Sequence, residues 1–337
     1  MKTYLNFLIL LVLDKLGINA IFRFLNRNKI IILWSHGICD DNFKLLKGYD
    51  ERHIPKSLFS EQLNFLKQKG YVFVTLSELI DIFSNKKQTK KIIVLTFDDG
   101  FRNVVTNAYP IMKRFNAKGC FYLISSLIGG NELLWTDYIE TIVRNSKPGK
   151  FQFVFKGKTV SYDLNTKESY QHTMKDIKRK LRSISDRQRK EHIKQFNDIK
   201  IDDVPKEFIF SNWDEIKNLD PTILEVGSHT KNHPDCINLI SNDEFLDEIR
   251  DSKVKIEQMV GHEINHFCYP AGSYNDEVIK NVKKYGYKSA VTIDDGFNDQ
   301  NIDLYKLKRI LISGNFLKFK ADTSGSLIFI RRLKNFF

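Results

Sequence analysis

The stretch Ile92-Ile-Val-Leu-Thr-Phe-Asp-Asp-Gly100 joins a continuous apolar run to two adjacent carboxylates. An apolar run of this length, bounded by a turn signal, predicts a buried strand, so Asp98 and Asp99 stand where that strand ends. Taken alone, Asp-Asp-Gly is typical of a turn or a helix cap. The buried strand before it argues against that interpretation, because a carboxylate placed beside a core must be paired or ligated.

A pair of histidines follows a second strand-like run. Residues 224–228 lead into His229-Thr-Lys-Asn-His233-Pro234, where the two imidazoles are four residues apart. On a helical turn both rings reach one ion, although a lone pair with this spacing is more often incidental. Two His and one Asp form a ligand set for a divalent metal with open coordination positions. The two strand-end clusters together favour a shared metal in a hydrolase, with the second Asp free to act as a base.

Apolar runs alternate with helical patterns along most of the chain. The predicted strands cover residues 30–34, 71–74, 92–97, 119–124, 267–269 and 290–293, with a further one at Val226. The predicted helices cover residues 58–69, 77–83 with Ser77 as the cap, 109–115, 243–260 and 276–285. This alternation predicts an α/β fold built on a parallel sheet or barrel. In such folds the chemistry gathers at the carboxyl ends of the strands.

Residues 131–222 interrupt the strand series and are interpreted as an inserted helical subregion. The insertion carries a basic helix near residues 175–194, interpreted as a solvated face, with a grip on an anionic glycan or lipid as the alternative. Trp135 and Trp213 flank the insertion. Both are predicted to pack it onto the barrel, and stacking on a sugar face is the second interpretation.

The composition limits the partners of the protein. The net charge of +12 suits nucleic acid, anionic lipid or an acidic polymer. Nucleic acid is excluded because the chain carries no nucleic-acid-binding motif. The four cysteines include no Cys-x-x-Cys pair, which argues against a structural zinc site and a disulfide framework. They favour a reducing compartment, so we expect a protein that is cytoplasmic or peripheral on the cytoplasmic membrane face rather than exported.

The two ends of the chain differ from the middle. We expect an N-terminal segment over 1–28, a main domain over 29–315 and a basic, apolar tail over 316–337. Residues 3–27 predict one or two amphipathic helices whose apolar run of ten is too short to span a bilayer. Two interpretations stay open: a helix packed on the domain, or a helix lying in an anionic membrane surface. The tail from residue 327 has the same apolar and basic character and could join it.

Three segments carry a family resemblance. Residues 96–100, 229–234 and Phe267-Cys-Tyr-Pro-Ala-Gly272 resemble successive motifs of the polysaccharide deacetylase family, carbohydrate esterase family four, over about residues 30–312. The resemblance implies a distorted, incomplete (β/α) barrel and the metal-dependent removal of N- or O-acetyl groups from an acetylated glycan or glycolipid. Zn²⁺ is the first expectation for the metal, and Co²⁺, Ni²⁺ or Mn²⁺ suit the same ligands.

The resemblance also implies a role for each motif residue. Asp99, His229 and His233 would hold the metal, and Asp98 would be the general base. Tyr269 and Pro270 would bind substrate, with a backbone N–H near Tyr269 facing the oxyanion.

Two features depart from the family pattern. The usual Arg of the third motif is absent, and Arg309 is a possible substitute for orienting Asp98. The late His that serves as the general acid is also absent. Both departures would suit a second function, a catalytically silent carbohydrate-binding relative of the deacetylases.

The proton donor is predicted near the start of the chain. Ile31-Ile-Leu-Trp-Ser-His36 resembles the Leu-x-Tyr-His segment of permuted members, such as deacetylases of poly-N-acetylglucosamine, in which that His is the acid. A core-edge His held by a backbone group is the alternative for His36. The sequence predicts that His53, His262 and His266 are ordinary surface or edge residues.

Overall fold

The computed structural model describes residues 2–43, 52–85, 90–197, 204–239 and 241–334, with side chains from Phe7 to Arg331 within these ranges. Parts of each predicted segment lie outside the described residues: residue 1 of the N-terminal segment, residues 44–51, 86–89 and 240 of the main domain, residues 198–203 of its insertion and residues 335–337 of the tail.

Most of the predicted strands are present, with others between them. Along the described chain the strands are β1 (Ile31–Ser35), β2 (Gly37–Cys39), β3 (His53–Pro55), β4 (Val72–Phe73), β5 (Ile92–Phe97), β6 (Gly119–Leu123), β7 (Gly149–Phe155), β8 (Lys158–Leu164), β9 (Leu224–Ser228), β10 (His266–Cys268), β11 (Ser289–Asp295) and β12 (Leu307–Leu311).

Helices separate the strands. They are α1 (Lys2–Lys15), α2 (Ile18–Leu25), α3 (Lys56–Gln68), α4 (Leu76–Ser84), α5 (Tyr109–Phe115), α6 (Trp135–Asn145), α7 (Lys167–Arg182), α8 (Asp186–Ile193), α9 (Trp213–Lys217), α10 (Asn242–Phe245), α11 (Asp251–Val260), α12 (Asp276–Lys284), α13 (Phe316–Ser324) and α14 (Ser326–Lys334). The helix predicted over 243–260 is α10 and α11, joined by a π-helical turn, Leu246–Arg250.

Seven parallel strands close into a barrel. Their order is β1, β12, β11, β10, β9, β6 and β5, and β5 pairs with β1 to complete the ring. The short strand β4 also pairs with β5, beside the half of β5 that precedes its contact with β6. A complete (β/α) barrel has eight strands, so this ring of seven confirms the prediction of an incomplete (β/α) barrel. Parallel strands covered on both faces are expected to be buried and largely apolar throughout, as β5 is apart from Thr96.

Alternate residues of the strands divide between two cores. Ile92 and Val94 lie inside the ring, in a cluster with Ile32, Cys120 and Cys268. Their neighbours along the strands face the surrounding helices. Because side chains alternate along a strand, the same parity directs Thr96 and Asp98 inward. The sequence of β5 thus delivers a carboxylate to the carboxyl end of the barrel interior.

Helix α4 closes the opposite, amino end of the barrel. Leu76 and Leu79 of α4 belong to the inner cluster. The prediction that Ser77 caps this helix was wrong. Thr75 is the cap, and its hydroxyl accepts from the backbone N–H of Glu78, whose carboxylate accepts in return from the backbone N–H of Thr75. A Thr followed three residues later by Glu is the sequence signal for this capping box.

The insertion has a core of its own and more than helices. The antiparallel hairpin of β7 and β8 packs with α6, α7 and α8. The expectation of a purely helical subregion was incomplete, because every second residue from Phe151 to Phe155 is apolar, a strand pattern. The basic helix predicted over 175–194 is two helices, α7 and α8, and Ser185 caps the second.

Both ends of the described chain pack together as a helical layer. Helices α1 and α2 contact α13 and α14, and the ring of Phe22 lies 5.2 Å from that of Phe329. No helix in the described ranges is long and apolar enough to cross a membrane. The predicted N-terminal segment and C-terminal tail are therefore far apart in sequence but in contact in the fold.

His266 is a buried structural residue, so its prediction as a surface or edge residue was wrong. Its Nε2 lies 3.0 Å from the hydroxyl of Ser77, and its Nδ1 lies 2.9 Å from the hydroxyl of Ser289. Burial, together with the charges of Lys288 and Lys253, lowers the pKa of His266 to about 3. The neutral imidazole is therefore the form that the fold accommodates.

Acid is expected to destabilise the protein through His266. In the unfolded chain a His binds a proton below about pH 6.5, whereas buried His266 does so only near pH 3. The free energy of unfolding is therefore expected to fall by about 1.4 kcal/mol per pH unit below about pH 6.5 for this one group. The free energy of unfolding, measured with urea at several pH values in that range, should depend less steeply on pH in His266→Gln. In exposed His262→Gln its dependence on pH should be that of the unaltered protein. Equal slopes in the two variants would contradict this account.

Candidate active site

Asp98 is held inside the barrel mouth by Arg309. The guanidinium of Arg309 on β12 donates from Nη1 to Oδ1 of Asp98 at 2.7 Å and from Nη2 to Oδ2 at 2.8 Å. Nη1 also donates to the hydroxyl of Thr96, and Nε donates to the carbonyl of Thr292. This fork fixes the carboxylate in one orientation. Arg309 therefore lies where the motif Arg was expected to act.

The electrostatics of this pair favour an ionised carboxylate. Both side chains are almost fully buried. Burial by itself would raise the pKa of Asp98, but the charge of Arg309 and its hydrogen bonds outweigh it and hold the pKa below its ordinary value. A buried base that stays ionised at neutral pH results.

Asp99, His229 and His233 converge beside Asp98. Their candidate ligand atoms all lie within 4.8 Å of one another. Oδ1 of Asp99 is 3.5 Å from Nε2 of His229 and 3.7 Å from Nε2 of His233. The two adjacent carboxylates are thus divided between an arginine and a pair of imidazoles.

Unusual backbone angles create this convergence. Asp99 has a φ of 76°, Thr230 of 66° and His233 of 56°, values that non-glycine residues seldom adopt. The left-handed turn at Asp99 brings its carboxylate over the same mouth as Asp98, although successive strand residues point apart. The helical turn expected for His229 and His233 is a loop, and its strained residues are the ones that set the two rings together.

The three residues have the chemistry of a metal site. Nδ1 of His229 lies 2.8 Å from the carbonyl oxygen of Cys268. Donation to that carbonyl leaves Nε2 with a lone pair for a metal ion, an arrangement common among metal-binding histidines. Burial lowers the pKa of His229 and that of His233. The charge of the neighbouring His229 lowers the pKa of His233 further. Both rings are therefore neutral and able to ligate.

A second group of donors, Asp98, His229 and Cys268, is less suited to a cation. The guanidinium of Arg309 already occupies it, because Nη2 contacts both Oδ2 of Asp98 at 2.8 Å and Sγ of Cys268 at 3.3 Å. A fixed positive charge at that point repels a metal ion. All four cysteines are free and buried.

His36 completes the mouth. It follows β1, which pairs with β5 so that Ser35 lies opposite Phe97, and this register sets His36 beside Asp98 and Asp99. Nε2 of His36 lies 3.8 Å from Oδ2 of Asp99, and the side chain is 17% exposed. Its ring stands edge-on to Trp34. The structure therefore places the predicted proton donor within the cluster and open to the cavity.

A cavity of about 270 Å³ leads to these residues. It is lined by Trp34, His36, Arg52, Asp98, Asp99, Leu134, Thr136, Lys178, Arg182, His229, His233, Tyr269, Ala271, Ile293 and Leu311. The barrel thus supplies the polar floor, and the insertion supplies part of the wall.

Two basic residues of the insertion reach the cavity, so a purely solvated face for the basic region was wrong. Lys178 forms a buried ion pair with Glu140, and Arg182 lines the wall without an ion pair to any described residue. In α7, Lys178 directly follows the buried residue Ile177, and Arg182 directly follows Leu181. This position beside the buried stripe is the sequence signal that could have placed them near the cavity. Arg52, which pairs with Asp137 and Glu140, carried no such signal.

Tyr269 and Pro270 have a more structural place than expected. Tyr269 lines the cavity, but its N–H donates to the carbonyl of Val291 at 3.3 Å and its hydroxyl donates to that of Tyr305 at 3.0 Å. The N–H of Tyr269 itself is therefore engaged, and an oxyanion contact from a backbone N–H near Tyr269 stays a prediction. Pro270 is buried, and Ala271 is the residue of this turn that lines the described cavity.

The remaining predicted residues hold the scaffold. Trp135 belongs to both the barrel core and the insertion core, and its Nε1 donates to the carbonyl of His233 at 3.3 Å. Trp213 packs against Gly129. The packing interpretation of both is confirmed. His53 is buried, with its Nδ1 2.9 Å from Nδ2 of Asn103, so its prediction as a surface or edge residue was wrong.

Comparison with known proteins identifies the family. The family model described as polysaccharide deacetylase matches residues 85–197 and 201–290, more than half of the chain. The chain belongs to the polysaccharide deacetylase family. It is a hydrolase of the class that acts on carbon–nitrogen bonds other than peptide bonds. Asp98, Asp99, His229 and His233 lie within the matched residues of this polysaccharide deacetylase, whereas His36 and Arg309 lie outside them.

Individual relatives cover nearly the whole deacetylase. The Bacillus subtilis protein YxkH is 22% identical over 286 residues, 85% of this chain and 72% of YxkH. A poly-β-1,6-N-acetyl-D-glucosamine N-deacetylase of Staphylococcus epidermidis is 22% identical over 279 residues, 82% of this chain and 74% of that protein. The Streptococcus pyogenes deacetylase PplD, solved in complex with acetate, matches with a TM-score of 0.59 and 21% identity, covering 88% of this chain and 99% of that one.

Proposed function

We propose that this protein is a divalent-metal-dependent deacetylase that removes N-acetyl groups from a polysaccharide, oligosaccharide or glycolipid. One observation carries the proposal: a three-residue ligand cluster, a carboxylate held by Arg309, and His36 meet at one barrel mouth. The relatives named poly-β-1,6-N-acetyl-D-glucosamine N-deacetylases support an N-acetylglucosamine polymer as the first substrate to test.

Asp99, His229 and His233 would hold the metal. Their neutral imidazoles and single carboxylate suit zinc, which we propose, and also suit cobalt, nickel or manganese. A bound divalent ion polarises the acetyl carbonyl and lowers the pKa of water beside it.

Asp98 acts as the general base. Its carboxylate is ionised at neutral pH, and each oxygen keeps a lone pair beyond the one that accepts from Arg309. It takes one proton from the attacking water as the oxygen of that water bonds to the acetyl carbon. Arg309 acts only through Asp98, by orienting the carboxylate and keeping it charged, and is a positioning residue.

His36 acts as the general acid. Its protonated ring gives a proton to the sugar nitrogen as the carbon–nitrogen bond breaks, so the products are an amine and acetate. An amide nitrogen leaves poorly without a proton, which makes this step necessary. The side chain is placed for it, because it lines the cavity and lies nearest Oδ2 of Asp99, whereas the histidine ligands lie nearest Oδ1.

Metal removal is expected to abolish acetate release while the barrel stays folded, because the cores are independent of the ligand cluster. Chelated protein should regain activity with added zinc, cobalt, nickel or manganese, and circular dichroism should show the fold unchanged. Asp99→Asn should lose measurable metal binding by calorimetry, and Asp220→Asn, in an exposed turn, should keep it. Full activity in the chelated protein would contradict the proposed function.

Acetate release from a substrate panel tests the function itself. The panel contains β-1,6- and β-1,4-linked N-acetylglucosamine oligomers, an N-acetylglucosamine glycolipid and O-acetylated xylan oligomers, each with a defined metal. We expect release from N-acetylated sugars. Release confined to the O-acetylated oligomers would overturn the assignment of the bond, and no release from any of them would overturn the proposed chemistry.

A further inference from the structure

Helix α2 is inverted in polarity. The residues that it buries are Asn19 and Arg23, whereas Ile21, Phe24 and Leu25 are each about 60% exposed. Leu16, just before the helix, is 70% exposed. A helix on a water-facing surface normally buries its apolar stripe and exposes its polar one. This arrangement implies that the outward side of α2 lies against something other than water.

The exposed apolar residues of α2 belong to a larger set on helices that contact one another. Eight of the fifteen large hydrophobic residues exposed in the described chain lie on α1, on α2 or the turn before it, and on α14. We name this set the terminal apolar face: Phe7, Leu8, Val12, Leu16, Ile21, Phe24, Leu25 and Phe329. Scattered exposed hydrophobics are ordinary, but a cluster of this size marks an interaction surface.

Buried polar contacts fix the orientation of α2. Oδ1 of Asn19 accepts hydrogen bonds from the hydroxyls of Ser324 at 3.2 Å and Ser326 at 2.8 Å. The guanidinium of Arg23 lies over the ring of Phe65, 5.1 Å from its centre. Rotating α2 to bury its apolar side would break these hydrogen bonds and the contact of Arg23 with Phe65. The exposed side is therefore a built feature of the fold.

The charges that border this face are positive. Asp14, the one acidic residue of α1, is paired with Lys320 of α13 at 3.0 Å. Lys15 and Arg27 form no ion pair with any described residue, and Arg27 stacks on Phe24 of the face itself. Apolar side chains bordered by unpaired cations match the interfacial region of a bilayer that contains anionic lipid.

We propose that the terminal apolar face inserts into the surface of an anionic lipid bilayer, with α1 and α2 lying in the plane of the membrane. The 14 residues of α1 are too few to span the bilayer, which agrees with a helix that lies on it. The proposal is independent of the deacetylation chemistry, because none of these eight residues lines the active-site cavity. The N-terminal helices pack on the domain, and the proposal adds a membrane contact on their outward side.

Helix α14, which carries Phe329 of the face, also reaches the rim of the barrel. Arg331 of α14 forms ion pairs with Asp295, at the carboxyl end of β11, and with Asp322. A small cavity at this contact shares Trp34, Ile293 and Leu311 with the active-site cavity. Helix α14 thus contacts both α2, which carries part of the terminal apolar face, and residues that lie beside the active-site cavity.

Vesicle sedimentation with the full chain tests the proposal. Vesicles of phosphatidylcholine with about a third phosphatidylglycerol are expected to bind the protein, with binding reduced in high salt. Leu16→Ser combined with Leu25→Ser is expected to weaken binding at least about tenfold, because two leucines no longer leave water. The matched control, Ile209→Ser with Ile237→Ser, changes two exposed hydrophobics elsewhere and is expected to bind as the unaltered protein does.

Three outcomes would overturn the proposal. The first is no binding to the anionic vesicles, and the second is binding that does not depend on the anionic lipid. The third is a dimer in light scattering without vesicles that Leu16→Ser with Leu25→Ser dissociates, since a second copy would then cover the face. Circular dichroism of each variant shows whether its fold is retained, which separates a lost surface from a lost structure.

Discussion

Replacing Asp98 with Asn is expected to lower kcat by about 10²- to 10⁴-fold, the range that loss of a general base produces. Asn keeps the size of the side chain and can accept a hydrogen bond from Arg309, but its amide cannot take a proton from water. The proposed ligands Asp99, His229 and His233 are untouched, so metal binding measured by calorimetry should stay the same. Undiminished acetate release by the purified variant would contradict the assignment of the base.

The same replacement is expected to cost stability, which needs its own control. It leaves the guanidinium of Arg309 buried without a counter-charge, and removal of one partner of a buried pair costs about 3–5 kcal/mol. The double variant Asp98→Asn with Arg309→Gln removes both charges. It should recover most of the free energy of unfolding in urea but none of the activity. Recovery of activity together with stability would show that the single variant failed through a distorted barrel.

Replacing His36 with Gln is expected to separate substrates by their leaving groups. Deacetylation of an N-acetyl sugar should slow by about 10²- to 10⁴-fold, because the amine nitrogen has lost its proton donor. Hydrolysis of 4-nitrophenyl acetate should be nearly unchanged, because nitrophenolate leaves without being protonated. The measurement is the ratio of kcat for the two substrates at a fixed metal concentration.

The ratio distinguishes an acid from a structural His. Equal losses on both substrates would mean that His36 supports the metal site or the fold, and calorimetry would then show weakened metal binding. His262→Gln is the matched control, because His262 is an exposed residue outside the described cavity. It should leave both rates as they are.

The parts of the site that could be predicted are those that follow strands directly. The apolar run before Asp98 fixed its strand, and the next strand-end cluster supplied His229 and His233, so their meeting at one mouth followed from parallel topology. Arg309 was predicted only as a replacement for an absent Arg. Arg309 acts as that replacement through two hydrogen bonds to Asp98. These depend on the register of β12, which short-range sequence patterns do not encode.

Other features depended on contacts between distant segments. Burial of His53 and His266 depends on Asn103, Ser77 and Ser289, none of which is adjacent in sequence. The left-handed backbone at Asp99 and His233 likewise has only a weak signal in residue type, because aspartate and histidine are enriched in that region but mostly adopt other conformations. The two interpretations of residues 3–27, a helix packed on the domain and a helix lying in a membrane surface, could not be separated because an amphipathic helical period fits both.

The ion pair between Asp98 and Arg309 joins residues that are 211 positions apart. During synthesis β5 leaves the ribosome long before β12, so the nascent barrel has a gap between β1 and β11 and a carboxylate with no cation to face. Both defects persist until β12 arrives, since β12 fills the gap and carries Arg309. Until then the lone buried charge costs several kcal/mol, and the open strand edges can pair with other chains. Folding of the catalytic mouth is therefore confined to the end of translation, and nascent chains are most exposed to aggregation, and most dependent on chaperones, just before it.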